Sequence, residues 1–255
     1  MSSWEPVVDR ITTFIKSKVE DANAQGVVMG LSGGVDSACT ACLSQKALTP
    51  PRVLAIIAPE EGVTPPQDVE DAVNLCKDLK IDYKVIKINS LVNAFIQAIG
   101  EEGEIATANL KPRIRMAMLY FFANNKNMLV AGGGNKTELK VGYFTKYGDG
   151  GVDILPLGDL YKTEVFSLAE YLEVPRKIID KKPTAGLWRG QTDESEIGMS
   201  YDKLDTVLKA IEEGREANVN GVERADVDKV KSMVGGSAHK REMPSIAEVR
   251  DLLSG

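Results

Sequence analysis

The residues best suited to hold a phosphate are Ser32-Gly33-Gly34-Val35-Asp36-Ser37. They follow a short apolar run at 26–31 and precede a stretch with helical spacing at 36–48. Adjacent glycines let the backbone turn tightly and bring its N–H groups close to a ligand. A helix that starts there points its positive end at the same spot, which makes an anion site. Ser32 and Ser37 can add hydroxyls, and Asp36 can hold a divalent cation that bridges phosphate oxygens. The string lacks the Gly-Lys-Ser/Thr of a Walker loop and the Gly-x-Gly-x-x-Gly of a dinucleotide fold. A bare Gly-Gly turn is ordinarily only a connection; the whole string in this position is far more specific.

Other chemistry-bearing residues have a plainer reading beside the functional one. Asn135 followed by Glu138 is a capping-box pattern, and Asp193 with Glu196 also reads as a helix cap. Lys162 opens a helical stretch, where a lysine is ordinarily solvated. Cys39 and Cys42 form a C-x-x-C, but both lie in the predicted helix with no second pair, so they read as small core residues. His239 is the only histidine.

The Ser32–Ser37 string resembles the pyrophosphate loop of ATP pyrophosphatases, enzymes that split ATP into AMP and pyrophosphate while adenylating a substrate. The later runs resemble NAD synthetase, in order and over nearly the whole chain. They are Gly134-Asn135-Lys136-Thr137-Glu138, then Gly142-Tyr143-Phe144-Thr145-Lys146-Tyr147-Gly148-Asp149-Gly150-Gly151 with Val152-Asp153-Ile154-Leu155-Pro156-Leu157, and Tyr161-Lys162-Thr163-Glu164. Pro183-Thr184-Ala185-Gly186-Leu187, Gly190-Gln191-Thr192-Asp193-Glu194 and His239-Lys240-Arg241 complete the set.

That resemblance implies a ligase. ATP would adenylate the nicotinate carboxylate of deamido-NAD, pyrophosphate would leave, and ammonia would attack the acyl-adenylate. It implies ATP against Gly30, Leu31, Ser32, Gly33, Gly34, Val35, Asp36 and Ser37, with Gly133, Lys162 and Thr184 on the same nucleotide. Mg2+ would sit on Asp36 and Glu138, which puts the ligand reading of Glu138 ahead of the cap. Deamido-NAD would meet Arg113, Lys146, Asp153, His239 and Lys240. Lys162 and Asp153 are the expected catalytic residues, Lys162 on the phosphates and Asp153 orienting the carboxylate or holding ammonium. Three positions depart from the family pattern. Pro112 precedes Arg113, so that helix is expected to start later or bend there. Gly133 stands where Thr or Ser is common, and Gly186 replaces an Asp. The 183–192 stretch is rich in turn residues and is expected to order over ATP as a lid. The rival readings are another adenylating enzyme, such as a tRNA thiolase or an amidotransferase synthetase subunit, and an inactive nucleotide-binding regulator.

The elements that must position these residues follow from periodicity. Helices are predicted at 7–24, 36–48 and 67–79, and strands at 26–31, 53–58, 83–88 and 128–131. Strands separated by helix-length segments give an α/β fold with a doubly wound, mostly parallel sheet, whose ligands lie beyond the carboxyl ends of the strands. The last third reads as helical, at 162–172, 200–213 and 225–233. The 113–123 segment is apolar nearly all round after its two arginines, so it needs cover on more than one side and is the expected homodimer surface. Leu119 lies within it and is a natural probe of such an interface.

The chain has 255 residues, 43% hydrophobic and 27% charged, with a net charge of −6. This suits one synthetase domain over 1–255 with no glutaminase domain, hence ammonia as the nitrogen donor. An acidic balance argues against nucleic acid or an anionic membrane as partner. No leader pattern and no apolar run long enough to span a bilayer is visible. Three cysteines are too few for a disulfide framework, so a cytoplasmic location is expected.

Overall fold

In the computed structural model, which describes residues 4–101, 103–215 and 222–253, four strands form one parallel sheet. They are β1 (Gly26–Gly30), β2 (Val53–Ile57), β3 (Asp82–Val85) and β4 (Met128–Ala131), in the order β3-β2-β1-β4. Val27 of β1 pairs with Val53 on one side and with Leu129 on the other. Parallel strands cannot be joined by tight turns. The crossovers are α2 (Val35–Ala47), α3 (Pro66–Leu79), and then α4 (Asn89–Ile99) with α5 (Glu104–Lys126). The chain winds outward from β1 to β3 and then returns to the far side of β1. The gap between the loops after β1 and β4 is therefore the topological switch point, where such sheets bind ligands.

Strand side chains alternate between two cores, as period-2 geometry demands. Val27, Met29, Val53, Ala55 and Ile57 face α2, α3, α1 (Glu5–Asp21), α7 (Lys162–Tyr171) and α8 (Arg176–Ile179). Cys39, Cys42 and Cys76 are buried there as free thiols, in line with the reading of Cys39 and Cys42 as core residues. Val28, Leu54, Ile56 and Val130 face the opposite way, against Met118, Leu119, Phe122 and Ala123 of α5. A third cluster joins α6 (Lys136–Val141), α9 (Asp193–Ile197), α10 (Tyr201–Glu212) and α11 (Arg224–Gly236), followed by the short α12 (Ala238–Arg241). No helix among the described residues is long and apolar enough to cross a membrane.

The predicted strands and helices are present, with ends displaced by up to three residues. Three features differ. β3 ends at Val85, and the chain beyond it turns toward α4, which is not among the predicted helices. The helix of Arg113 begins earlier, at Glu104, and runs through Pro112. A proline in a helix forfeits one backbone bond. Here Pro112 is buried and packed so tightly on Gly148 that a Cβ on that glycine would lie 3.0 Å away, which ties α5 to the glycine-rich stretch. Finally, Leu119 packs inward on the sheet, so it is no probe of an outer surface; Phe121, 68% exposed, points away.

Candidate active site

The phosphate loop closes on itself through its two serines. The Ser32 N–H donates to Ser37 Oγ at 3.2 Å, the Gly34 N–H donates to Ser32 Oγ at 3.2 Å, and Ser37 Oγ donates to the Gly34 carbonyl at 3.0 Å. Gly33 has φ +84, and a Cβ there would lie 2.4 Å from the Asp68 carbonyl oxygen, so only glycine fits. Gly34 caps α2 without any side-chain bond, which leaves the positive end of that helix facing the loop. Lys181, on the stretch that leads to Thr184, donates to the Gly33 carbonyl at 3.3 Å and pairs with Asp68 and Asp71 at 2.8 and 2.6 Å.

Three residues far apart in sequence meet beside this loop. The Lys162 ammonium lies 2.6 Å from Asp36 Oδ2 and 2.9 Å from Glu138 Oε1. Its side chain is 2% exposed, and its ammonium sits 4.9 Å above the Tyr201 ring. The backbone that carries it is fixed as well: the Lys162 N–H donates to Thr137 Oγ1 and the Thr163 N–H to Asp205, which also accepts from Thr137. Burial opposes the charge on Lys162, but the two carboxylates outweigh it and raise its pKa. One ammonium cannot neutralise both partners fully. Burial, with Asp36 and Asp193 near, outweighs Lys162 and pushes the Glu138 carboxyl up to about 7. Burial also raises Asp193, against Lys162 and its tyrosine hydrogen bonds.

Asn135 takes its place as the cap of α6, while the Glu138 side chain stays out of that cap. Asn135 Oδ1 accepts from the Glu138 N–H at 3.0 Å and caps α6, while Asn135 Nδ2 donates to Asp36 Oδ1 at 2.8 Å. The Glu138 carboxylate is not used in the cap and turns to Lys162 instead. Asp193 and Glu196, expected as a cap, do something else. Thr192 caps α9 with no side-chain bond, and both acids lie within hydrogen-bond distance of the Tyr143 hydroxyl, which has one proton for the two of them.

A second group collects residues expected to meet deamido-NAD. Arg113 Nε reaches the Lys146 carbonyl at 3.4 Å, and the Lys146 ammonium donates to the His239 carbonyl. Lys240 donates to the Gly142 and Phe144 carbonyls at 2.7 and 2.9 Å and holds that motif in place. Asp153 stands apart from both groups, its oxygens taken by the Tyr120 hydroxyl at 2.9 Å and the Val130 N–H at 2.7 Å. Thr184 is exposed, its hydroxyl accepting from the Gly186 N–H at 3.1 Å. Gly133 faces α2: a Cβ there would be 3.5 Å from Ser37 N, an ordinary contact.

A family model for NAD synthase matches residues 7–244. The chain belongs to the NAD synthase family. An NH(3)-dependent NAD(+) synthetase from Archaeoglobus fulgidus is 59% identical over 98% of this chain and 100% of its own. Among solved structures, an NH3-dependent NAD synthetase from Campylobacter jejuni is 36% identical with a TM-score of 0.85 and covers 97% of this chain and 100% of its own. An NMN synthetase from Francisella tularensis is 35% identical with a TM-score of 0.88 and the same two coverages, 97% and 100%. A family that adenylates a substrate with ATP has a direct use for the loop and for the Asp36–Lys162–Glu138 cluster.

Some residues of this site escaped the sequence reading. Asn135 and Asp193 read only as helix caps and Tyr143 lay inside a motif string without a role, and only their partners reveal more. Tyr201 carries no local signal, because an aromatic on the buried face of an amphipathic helix reads as core.

Proposed function

We propose that this chain makes NAD from deamido-NAD, ATP and ammonia. The observation that carries the reading is the convergence of Asp36, Glu138 and Lys162 beside the phosphate loop at the switch point of the sheet. The nicotinate carboxylate attacks the α-phosphorus of ATP, the bond to pyrophosphate breaks, ammonia then attacks the acyl carbon, and AMP departs. Both anionic partners must come together, so the protein has to supply cations and donors where charge develops. The loop amides and the α2 end hold the phosphates. Lys162, already desolvated and charged, lies where it can transfer from the two carboxylates to a phosphate oxygen.

No preassembled group of three metal-ligating side chains is present among the described residues. The chemistry of the donors nonetheless fits Mg2+, which binds through one or two carboxylates and takes its remaining ligands from water and phosphate. Asp36 and Glu138 both touch one ammonium, so both are within reach of a single small cation. With Asp193 behind them they carry more negative charge than Lys162 offsets. Bound there, Mg2+ would neutralise the phosphate oxygens.

Arg113, Lys146, His239 and Lys240 serve deamido-NAD, whose phosphates and carboxylate match local positive charge in an acidic protein. Asp153, fixed at both oxygens, would orient the nicotinate carboxylate or ammonium. Gly133 and Thr184 complete the ATP site. We place the enzyme in the cytoplasm as a homodimer through α4 and α5, whose Leu91, Phe95, Ile99, Ile105 and Phe121 are exposed. This cover is what a helix apolar beyond its sheet-facing stripe requires.

The test is incubation with ATP, Mg2+, ammonium and either deamido-NAD or nicotinate mononucleotide, with AMP, pyrophosphate and the amidated product measured. Deamido-NAD-dependent AMP matched by NAD is the expected result. Preference for the mononucleotide, or turnover with glutamine but not ammonium, would overturn the reading.

A further inference from the structure

One polar chain runs from the phosphate cluster to the loop that carries Thr184. Its first contact is Tyr201, whose ring lies under the Lys162 ammonium and whose hydroxyl is 3.5 Å from Glu138 Oε1. That hydroxyl donates to Asp193 Oδ2 at 2.9 Å. Asp193 Oδ1 is 3.0 Å from the Tyr143 hydroxyl, which lies 2.5 Å from Glu196 Oε2. Glu196 accepts from Gln191 Nε2 at 2.6 Å, and Gln191 Oε1 accepts from the Leu187 N–H at 2.7 Å. The Asp193 N–H also donates to the Pro183 carbonyl at 3.1 Å, which closes the base of the same loop. Asp193 is 4% exposed, is bonded in both directions along this chain, and holds the loop backbone at Pro183 through its own N–H.

We propose that Asp193 is a positioning residue, which acts through Tyr201 to hold Glu138 and Lys162 and through Tyr143 to register the 183–191 loop against them. It touches no substrate. Its carboxyl joins the ATP cluster to Tyr143, whose neighbours Gly142 and Phe144 are gripped by Lys240 in the deamido-NAD group. The deamido-NAD side keeps its own hold through Lys240, so the loss of this acid falls on the ATP side.

The hydrogen bonds also specify what the side chain must be. A tyrosine hydroxyl has one proton to donate. Tyr201 donates to Asp193, and the single Tyr143 proton faces both Asp193 Oδ1 and Glu196 Oε2, so a donor at position 193 leaves that proton to Glu196. Asparagine satisfies the same pattern, with its carbonyl toward Tyr201 and its amide toward Tyr143. Alanine satisfies neither. A carboxylate needed for its charge would be lost equally in both variants.

The series Asp193→Asn, Asp193→Ala, Tyr201→Phe and the Asp193→Ala/Tyr201→Phe pair tests this. Three readouts are needed: equilibrium ATP binding with Mg2+, the kinetics of deamido-NAD-dependent AMP formation, and thermal unfolding. Asp193→Ala and Tyr201→Phe should each weaken ATP binding about 5–10-fold, as expected for one lost hydrogen bond near a charge. The pair should be no weaker than the worse single variant, because both break one chain. Asp193→Asn should recover most of the loss, and the KM for deamido-NAD should stay near the wild-type value in every variant. Asn as damaging as Ala, multiplying effects in the pair, or wild-type ATP binding in Tyr201→Phe would each overturn the proposal. Should Asp193→Ala fail to fold, Tyr201→Phe and Asp193→Asn still decide it. The inference rests on the proposed reaction for its kinetic readout only. Wild-type protein that forms no AMP from deamido-NAD would sink the reaction, whereas unchanged ATP binding across the series would sink the role of Asp193.

Discussion

One cluster of buried charge centres on Lys162, and single residues are where it is most readily probed. Removing Lys162 strands Asp36 and Glu138 without their cation, and breaking a buried ion pair from one side costs about 3–5 kcal/mol. Lys162→Met should therefore lower the unfolding temperature by several degrees, and Mg2+ should restore part of it by taking up the charge on the two carboxylates. A scan with and without Mg2+ checks this; no metal-dependent recovery would count against Asp36 and Glu138 as its ligands. Glycines give an opposite pair of expectations. Gly33→Ala meets the Asp68 carbonyl at 2.4 Å with φ +84, so ATP binding should be abolished. Gly133→Ser makes only an ordinary contact with Ser37 N at 3.5 Å, so stability should change by less than about 0.5 kcal/mol. ATP titration of both variants compares them directly.

At the scale of elements, the phosphate loop is held from behind by α3. Asp68 packs against Gly33, and Asp71 anchors both Lys177 and Lys181 at 2.6 Å. Burial works against the Asp71 carboxylate, yet hydrogen bonds from Lys177, Lys181 and Gln67 prevail and hold it down at about 2. A carboxyl whose pKa is lower folded than unfolded stabilises the fold fully above its unfolded value, about 3.9. That stabilisation disappears as pH falls from there toward about 2. Asp71→Asn should consequently flatten the acid limb of a stability-versus-pH curve while leaving its slope above pH 5 alone; an unchanged acid limb would refute the assignment. Elements were largely legible beforehand because hydrophobic periodicity is a local property. α4 was not read, although Leu91, Phe95 and Ile99 repeat at helical spacing, and in the structure that apolar stripe faces outward. The start of α5 was misplaced as well. A proline ordinarily ends a helix, whereas here Pro112 is buried against Gly148 and the helix continues through it.

At the scale of the whole molecule, α5 covers one face of the sheet with Leu119 and Phe122 and leaves Phe121 outside at 68% exposure. Together with Phe95 at 48% on α4, it offers the apolar surface a second copy would cover. Sedimentation should show a dimer for the wild type and a monomer for Phe121→Lys/Phe95→Glu. Dimers that persist in the double variant would move the interface elsewhere. Because Arg113 lies on the same helix, dissociation should also raise the KM for deamido-NAD.

The amino-acid sequence by itself determined the phosphate loop, the alternation of strands and helices around it, and a motif order that resembles one family from end to end. These are properties of neighbouring residues: a glycine pair needs only its own turn, and a strand only its alternation. Tertiary structure decided which of the motif residues act together. Asp36 and Asn135 are 99 positions apart and meet because β4 returns beside β1, and Lys162, 126 positions from Asp36, joins them through the bond of its N–H to Thr137. Asp193, Tyr201 and Tyr143 gained their part in the same way. Hydrogen bonds between distant side chains depend on topology and packing, which local spacing does not encode.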